Sequence, residues 1–294
     1  MPGPYARKLT AKLRSLLRQK VVDLQALSAG RLAADTLQKT VASRAELADM
    51  DPAHAVYVYV QNQVSVFCEL LTALPELERL TDILAGAEDE YMPLGPPTSP
   101  LTASHFWSWA FFDASVGVER ETIGTCVLAL AEVVPMHAEF LRLVRLAQDS
   151  RLGVYVHEGH EGRHVRLREL VTEQRCTALV PAGYRGAPGQ LWLARVLPPP
   201  FPGSDVHIVF TTPYVLRNPG EAPWTAYFDR TLPKVDPGDR HAAYAALMKR
   251  GLRNDPNFWN EYIFEAYDDH QHDAVFLTGL PDVDASRPFS RVNR

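Results

Sequence analysis

Cysteine is scarce in this chain. Cys68, Cys126 and Cys176 are odd in number and far apart, which excludes a disulfide framework. The apolar runs around them (Val64 to Leu71, Cys126 to Leu130) predict reduced core thiols in a cytoplasmic protein. Long uncharged hydrophobic runs are missing too: the best stretches are broken by Gln61, Gln63 and Glu69 and by Glu132, well short of the roughly 18 residues that a membrane-spanning helix needs. Net charge is small, −5 with an isoelectric point near 6.1, so whole-chain electrostatics exert no pull towards nucleic acid or an anionic membrane. Gly183, Gly186 and Gly189 fit neither the P-loop spacing nor G-x-G-x-x-G, and no Lys-Ser or Lys-Thr follows them, so they are expected to serve turns rather than phosphates. There is no G-x-S-x-G elbow, and no cysteine stands beside a histidine in sequence.

What is present is an ordinary globular composition, 46% apolar and 22% charged, in a chain long enough for two packed lobes. The first half is patterned as helix. Tyr5, Leu9, Leu13, Leu16, Leu17, Val21 and Leu24 recur at three- and four-residue steps through a segment that carries Arg7, Lys8, Lys12, Arg14, Arg18 and Lys20. This predicts a helix ending near Gly30 with a solvated basic face, and not a transit peptide. Ser43 with Glu46 has capping-box spacing, and Asp51 followed by Pro52 opens a long helix with Val56, Val60, Val64, Phe67 and Leu71 on one face. A shorter helix starts at Pro75. Pro93, Pro96, Pro97 and Pro100 predict a stiff loop from Tyr91 to Ser104. The aromatic run His105, Phe106, Trp107, Trp109, Phe111 and Phe112 reads as a core anchor, and helices follow at Glu121 to Val134 and Met136 to Ala147.

At Ser150 the period changes from helical to alternating. Val154 and Val156, then Val165 and Leu167, then the runs at Arg175 to Val180, Leu191 to Leu197 and Val206 to Phe210, predict short strands separated by turn-rich segments. Past Pro233 and Pro237 two more helices are expected: Asp239 to Arg250, and one opened by Asp255 and Pro256. The fold class is therefore α+β, with a helical lobe over residues 1–150, a small antiparallel β-barrel or sandwich over 151–232, and a helical cover over 233–294.

At Trp107 to Asp113 (WSWAFFD), Glu121 to Cys126 (ETIGTC), Tyr184 to Pro200 (YRGAPGQLWLARVLPPP) and Val209 to Leu216 (VFTTPYVL) the chain resembles a set of uncharacterised bacterial proteins. The resemblance covers most of the sequence past Tyr91. It implies no activity and assigns no residue a role.

Two clusters carry candidate chemistry. His160, Glu161, Gly162, Arg163 and His164 spell H-E-x-x-H, which on a helix would place two imidazoles on one face to bind zinc, with the glutamate as general base. Here glycines flank and interrupt the motif between two alternating segments, so it is expected on the turn of a hairpin, where the spelling loses that meaning. Asp268, Asp269, His270, His272 and Asp273 are dense in metal and proton-transfer donors and are placed at the end of the last helix, with His270 on its aromatic face. The site candidates are His160, Glu161, His164, His270 and Asp273 for catalysis, and His160, His164, His270 and His272 for a divalent metal. Arg163, Arg166, Arg168, Arg175, Arg185 and Arg195 tint the β region basic, and Tyr184 and Trp192 are the stacking rings a single-stranded nucleic acid would use there.

No catalytic set is complete, so the simplest expectation is a non-enzymatic interaction or accessory protein of a bacterial multi-component system. Such a protein would have protein partners, no cofactor and no membrane contact. The alternatives are a metal-dependent hydrolase built on the histidine clusters, and nucleic-acid binding through the basic β face.

Overall fold

The computed structural model describes residues 2–18, 24–72, 74–91, 100–233, 236–250 and 258–281. The helical half runs α1 (Pro4–Leu17), α2 (Leu24–Gln38), α3 (Arg44–Ala48), α4 (Pro52–Thr72), a 3-10 turn (Pro75–Leu77), α5 (Glu78–Tyr91), α6 (Pro100–Phe112), α7 (Ile123–Leu130) and α8 (Ala138–Asp149). Several starts are written in the local chemistry. Ser43 and Glu46 form the expected capping box of α3, and the Asp51 carboxylate accepts from Ala53 N at 3.1 Å at the head of α4. The N-terminus of α1 is capped from far away: both Glu121 carboxylate oxygens accept backbone amides, from Tyr5 at 2.9 Å and Ala6 at 2.7 Å. Gly3 is required beside this contact, because a Cβ there would fall 2.2 Å from Glu121 Cδ.

The strands are β1 (Leu152–Glu161), β2 (His164–Glu169), β3 (Arg175–Leu179), β4 (Leu191–Leu197), β5 (Val206–Val209), β6 (Tyr214–Asn218), β7 (Tyr267–His270) and β8 (Val275–Thr278), with α9 (Glu221–Thr231), α10 (Pro237–Arg250) and α11 (Phe258–Ala266) between β6 and β7. All eight belong to one sheet, ordered β1-β2-β3-β5-β4-β6-β8-β7, and the extra pairing of β1 with β4 closes the first five into a barrel. Its interior holds Tyr155, Val165, Leu167, Ala178, Trp192, Ala194, Val196 and Val209, which form an apolar cluster together with Val215 of β6 and Ala274 and Phe276 at β8. The opposite face of the same strands, with Val154, Leu193, Ile208 and Tyr214, joins the helices in a larger core that extends from Ala6 in α1 to Leu277 in β8.

β4 has one neighbour, β1, along one edge and two along the other: β6 pairs with Leu191 to Leu193, and β5 with Val196 and Leu197. The sheet therefore branches at Ala194 and Arg195, where the chain of β5 leaves to close the barrel and that of β6 continues outwards. Phe210 N bonds Arg195 O at 2.7 Å, and Arg195 N bonds Thr211 Oγ1 at 2.9 Å, which pins the fork.

Several expectations are corrected. The sheet is not wholly antiparallel, since β3 pairs with β5 and β6 with β8 in parallel. The segment 233–294 is not only a helical cover, because β7 and β8 extend the sheet. α6 begins at Pro100, where proline suits a first turn; the remaining loop prolines lie outside the described residues, as do Asp255 and Pro256. α2 continues through Gly30 to Gln38. β6 and α9 are elements beyond those expected, and Pro223 lies in the first turn of α9, where a proline costs a helix little. The aromatic run is core: Phe106, Trp109, Phe111 and Phe112 are buried. No helix of the described residues is long and apolar enough to cross a membrane.

Candidate functional site

The H-E-x-x-H spelling falls on a two-residue hairpin turn. Glu161 pairs with His164 and His160 with Val165, and Gly162 takes φ +59° at the first central position, where a tight hairpin turn needs a positive φ. Residues directly opposite share a face and successive residues alternate, so Glu161 and His164 point to one side of the ladder and His160 to the other. The two imidazoles diverge. Arg163, at the turn, pairs with Asp51 at 2.6 Å and so ties the hairpin tip to the head of α4.

A β-bulge between His157 and Gly159 turns His157 and His160 to the same side, with ring centroids 4.8 Å apart in an edge contact. His157 is fully buried. Gly159 N donates to its Nδ1 at 3.1 Å, so Nε2 carries the proton and donates to Arg185 O at 2.9 Å. Burial, opposed by that contact, lowers its pKa. Both nitrogens are thus spent, Nδ1 on the bulge of its own strand and Nε2 on the 181–190 loop. That loop is organised around Gln190, whose Oε1 accepts from Tyr184 Oη, Ala187 N and Trp192 Nε1 at 3.1–3.2 Å. Gly183, Gly186 and Gly189 all have positive φ there, and a Cβ on Gly186 would meet the Trp192 ring at 2.5 Å. The glycines build a turn, as expected.

The second cluster sits elsewhere than expected. Tyr267 to His270 is the edge strand β7 and not a helix end, and Asp268, Asp269, His270 and His272 are exposed, so His270 is not a core residue. Tyr267 Oη contacts His270 Nδ1 at 2.9 Å, and Arg217 pairs with Asp268 at 2.8 Å. The two histidine groups do not meet: β8, β6 and β4 lie between β7 and β1, a gap of roughly 19 Å at sheet spacing. Among the described residues no three His, Cys, Asp or Glu side chains stand close enough to share a metal ion.

Small barrels that bind oligonucleotides use the outer face of strands 2 and 3 with stacked aromatic rings. On this barrel that face presents His164, Arg166, Arg168, Arg175 and Thr177. Arg168 contacts Glu158, Glu173 and Glu221 at 2.6–3.1 Å. Arg175 contacts Glu158 at 3.0 Å and holds that carboxyl below its usual range. Trp192 packs inside the barrel and Tyr184 against it, away from this face. Arg168 and Arg175, committed to carboxylates, have little positive potential left for phosphates, while Arg166 donates to the Glu158 carbonyl at 3.3 Å.

Buried polar chemistry concentrates along α6, which sequence reasoning treated as an aromatic anchor. Thr102, His105 and Ser108 recur at three-residue steps and are each 1% exposed. His105 stacks on Tyr214 of β6 with centroids 4.9 Å apart. Its ring nitrogens make no hydrogen bond, nor do Ser108 Oγ and the Asn260 amide, and it is Asn260 of α11 that faces the imidazole.

Just past α6, Asp113 forms a fully buried ion pair with Arg195 at the fork of the sheet. Arg195 Nη1 also donates to Ser150 O at 2.9 Å and Ala147 O at 3.3 Å. Lys249 of α10 lies 3.7 Å from Asp113 and donates to Gln148 O and to Ser150 O. Two cations thus share one carboxylate together with the C-terminal carbonyls of α8, whose helix dipole supplies the remaining negative potential. Burial pushes the Asp113 carboxyl up and Arg195 and Lys249 down, and the attraction between the groups opposes each shift. These side chains are spent on one another and bind α6, α8, β4 and α10 together. An arginine inside the apolar run Leu191 to Leu197 was the signal for this network. Comparison with family models, curated proteins and solved structures finds no match for this chain.

Proposed function

We propose that the chain is a non-catalytic interaction protein, an accessory or adaptor component of a bacterial multi-component system, which holds a partner polypeptide on its helical side. The observation that supports this reading is an open groove of about 460 Å³ between α3, the start of α4 and the start of α8. Leu47, Met50, Ala55 and Phe140 line it with apolar surface, and His137 and Arg142 stand at its polar edge. An apolar centre with a polar rim is the make-up of protein-binding surfaces. By contrast, the hydrolase reading would need His160 and His164 to converge, and the nucleic-acid reading would need stacked rings beside the arginines of the barrel face; the geometry supports neither.

The test is peptide display against the wild-type chain and against a chain carrying Ala48→Arg and Ala55→Arg, which fill the groove with charge. Peptides enriched on the wild type should lose about tenfold or more in affinity on the double variant. Equal binding to both chains, or enrichment of none, would remove the proposal.

A further inference from the structure

α11, β7 and β8 form a unit that the barrel does not need. β7 is the edge of the sheet, β8 is paired with the rest of it through β6, and the barrel is closed by β1 on β4. Apolar packing holds this unit down, with Trp259, Tyr262, Ile263, Val275 and Leu277 in the large core and Ala274 and Phe276 in the barrel's cluster; its polar contacts include the parallel pairing of β8 with Tyr214 to Asn218, Trp259 Nε1 on Leu247 O at 3.0 Å, Arg217 on Asp268, and Asn260 against His105. The last contact is the one that acid can change, because His105 meets an uncharged wall. Tyr214 faces it from β6 and Asn260 from α11, while Thr102 and Ser108 flank it on its own helix. The charged group that acts on it is Arg195 from β4, a like charge to an imidazolium. A proton on either ring nitrogen would find a repelling guanidinium and no water-exposed surface, which the Asn260 amide only partly offsets.

We propose that α11, β7 and β8 are a C-terminal flap latched by the neutral His105 imidazole, and that protonation of His105 lifts the flap off β6 as a unit while the barrel stays closed. Burial first, then the charge of Arg195, lowers this imidazole from the usual 6.5 to about 3. A base whose pKa is depressed in the closed state binds its proton in the open one, so closure weakens as pH falls from 6.5 towards 3. Between pH 7 and pH 5 the opening equilibrium constant then rises about 25-fold.

The test is native-state amide hydrogen exchange of the full chain near pH 7 and pH 5, with intrinsic rates removed. The amides of Val275 to Thr278 should open more readily than those of Val154 and Val156 in the barrel at both pH values, with an opening constant that rises about 25-fold. In His105→Phe, which keeps a ring against Tyr214, that rise should shrink to about threefold or less. Flap and barrel amides sharing one opening constant, or a full rise in His105→Phe, would overturn the proposal. His105→Gln repeats the comparison if the phenylalanine chain does not fold. Independently, an imidazole resonance of native His105 that titrates above pH 5 would also refute the latch.

Discussion

Replacing Asp113 by asparagine keeps the shape of the side chain and removes the charge that Arg195 and Lys249 share. Breaking a buried ion pair from one side costs about 3–5 kcal/mol, because the remaining charge is left in a low-dielectric interior. Two features of this site place the expected loss at the lower end. Arg195 and Lys249 also donate to the terminal carbonyls of α8, a favourable position for cations, and Lys249 retains 19% side-chain exposure. A loss of about 3 kcal/mol is a large part of the roughly 5–15 kcal/mol that holds a typical protein folded. With a urea dependence near 3 kcal/mol per molar, the midpoint should fall by about 1 M. The assay is urea unfolding followed by circular dichroism and tryptophan fluorescence together, with coincident transitions as the condition for reading a free energy. The companion variant Asp113→Leu with Arg195→Met removes both charges and should be more stable than Asp113→Asn alone, since an apolar pair of similar volume replaces a buried ion pair at little cost. A loss under about 1 kcal/mol in Asp113→Asn, or a double variant whose loss is the sum of its single ones, would refute the account of these residues as a mutually neutralised set.

Glu121→Ala should cost about 1–2 kcal/mol and speed exchange of the first α1 amides, because it removes the acceptor for both Tyr5 N and Ala6 N; an unchanged urea midpoint would mean that water caps α1 equally well. Protein purified without an affinity tag should contain no stoichiometric zinc or manganese by elemental analysis, and His160→Ala with His164→Ala should shift stability by less than about 0.5 kcal/mol, as expected for one exposed and one half-buried residue at a hairpin tip. One metal ion per chain, lost in that double variant, would restore the hydrolase reading.

The strands were legible because alternation is a local property. Val154 to His157 and Val165 to Arg168 each carry their two faces in their own sequence, and Gly162 marks the turn between them. Pairing is not local. Nothing in Val206 to Phe210 says that it runs parallel to Arg175 to Leu179, since that choice is made by the cost of leaving a barrel edge open across some thirty residues of intervening chain. For the same reason β7 read as the tail of a helix. Tyr262, Ile263 and Ala266 set a helical period, and only the pairing of Tyr267 and His270 with Leu277 and Val275 ends it.

The candidate site was hidden in a different way. A titratable residue draws attention when it stands in a polar cluster, as His160 and His270 do, yet such clusters are often solvated faces whose members need nothing from one another. The residues that the fold commits most heavily stand alone in apolar company: Arg195 within LWLARVL, Asp113 closing WSWAFFD, His105 beside five aromatic residues in sequence. Burying any one of these without a partner or a shifted protonation state costs several kcal/mol, so each implies a second group elsewhere in the chain. For Arg195 that group is Asp113, 82 residues away, and no local pattern names it. For His105 it is an uncharged amide, and the imidazole answers by giving up its proton. An isolated polar residue in an apolar run is therefore a stronger pointer to a committed site than a polar cluster in a loop, and in this chain it leads to α6 and the fork of the sheet rather than to the hairpin tip.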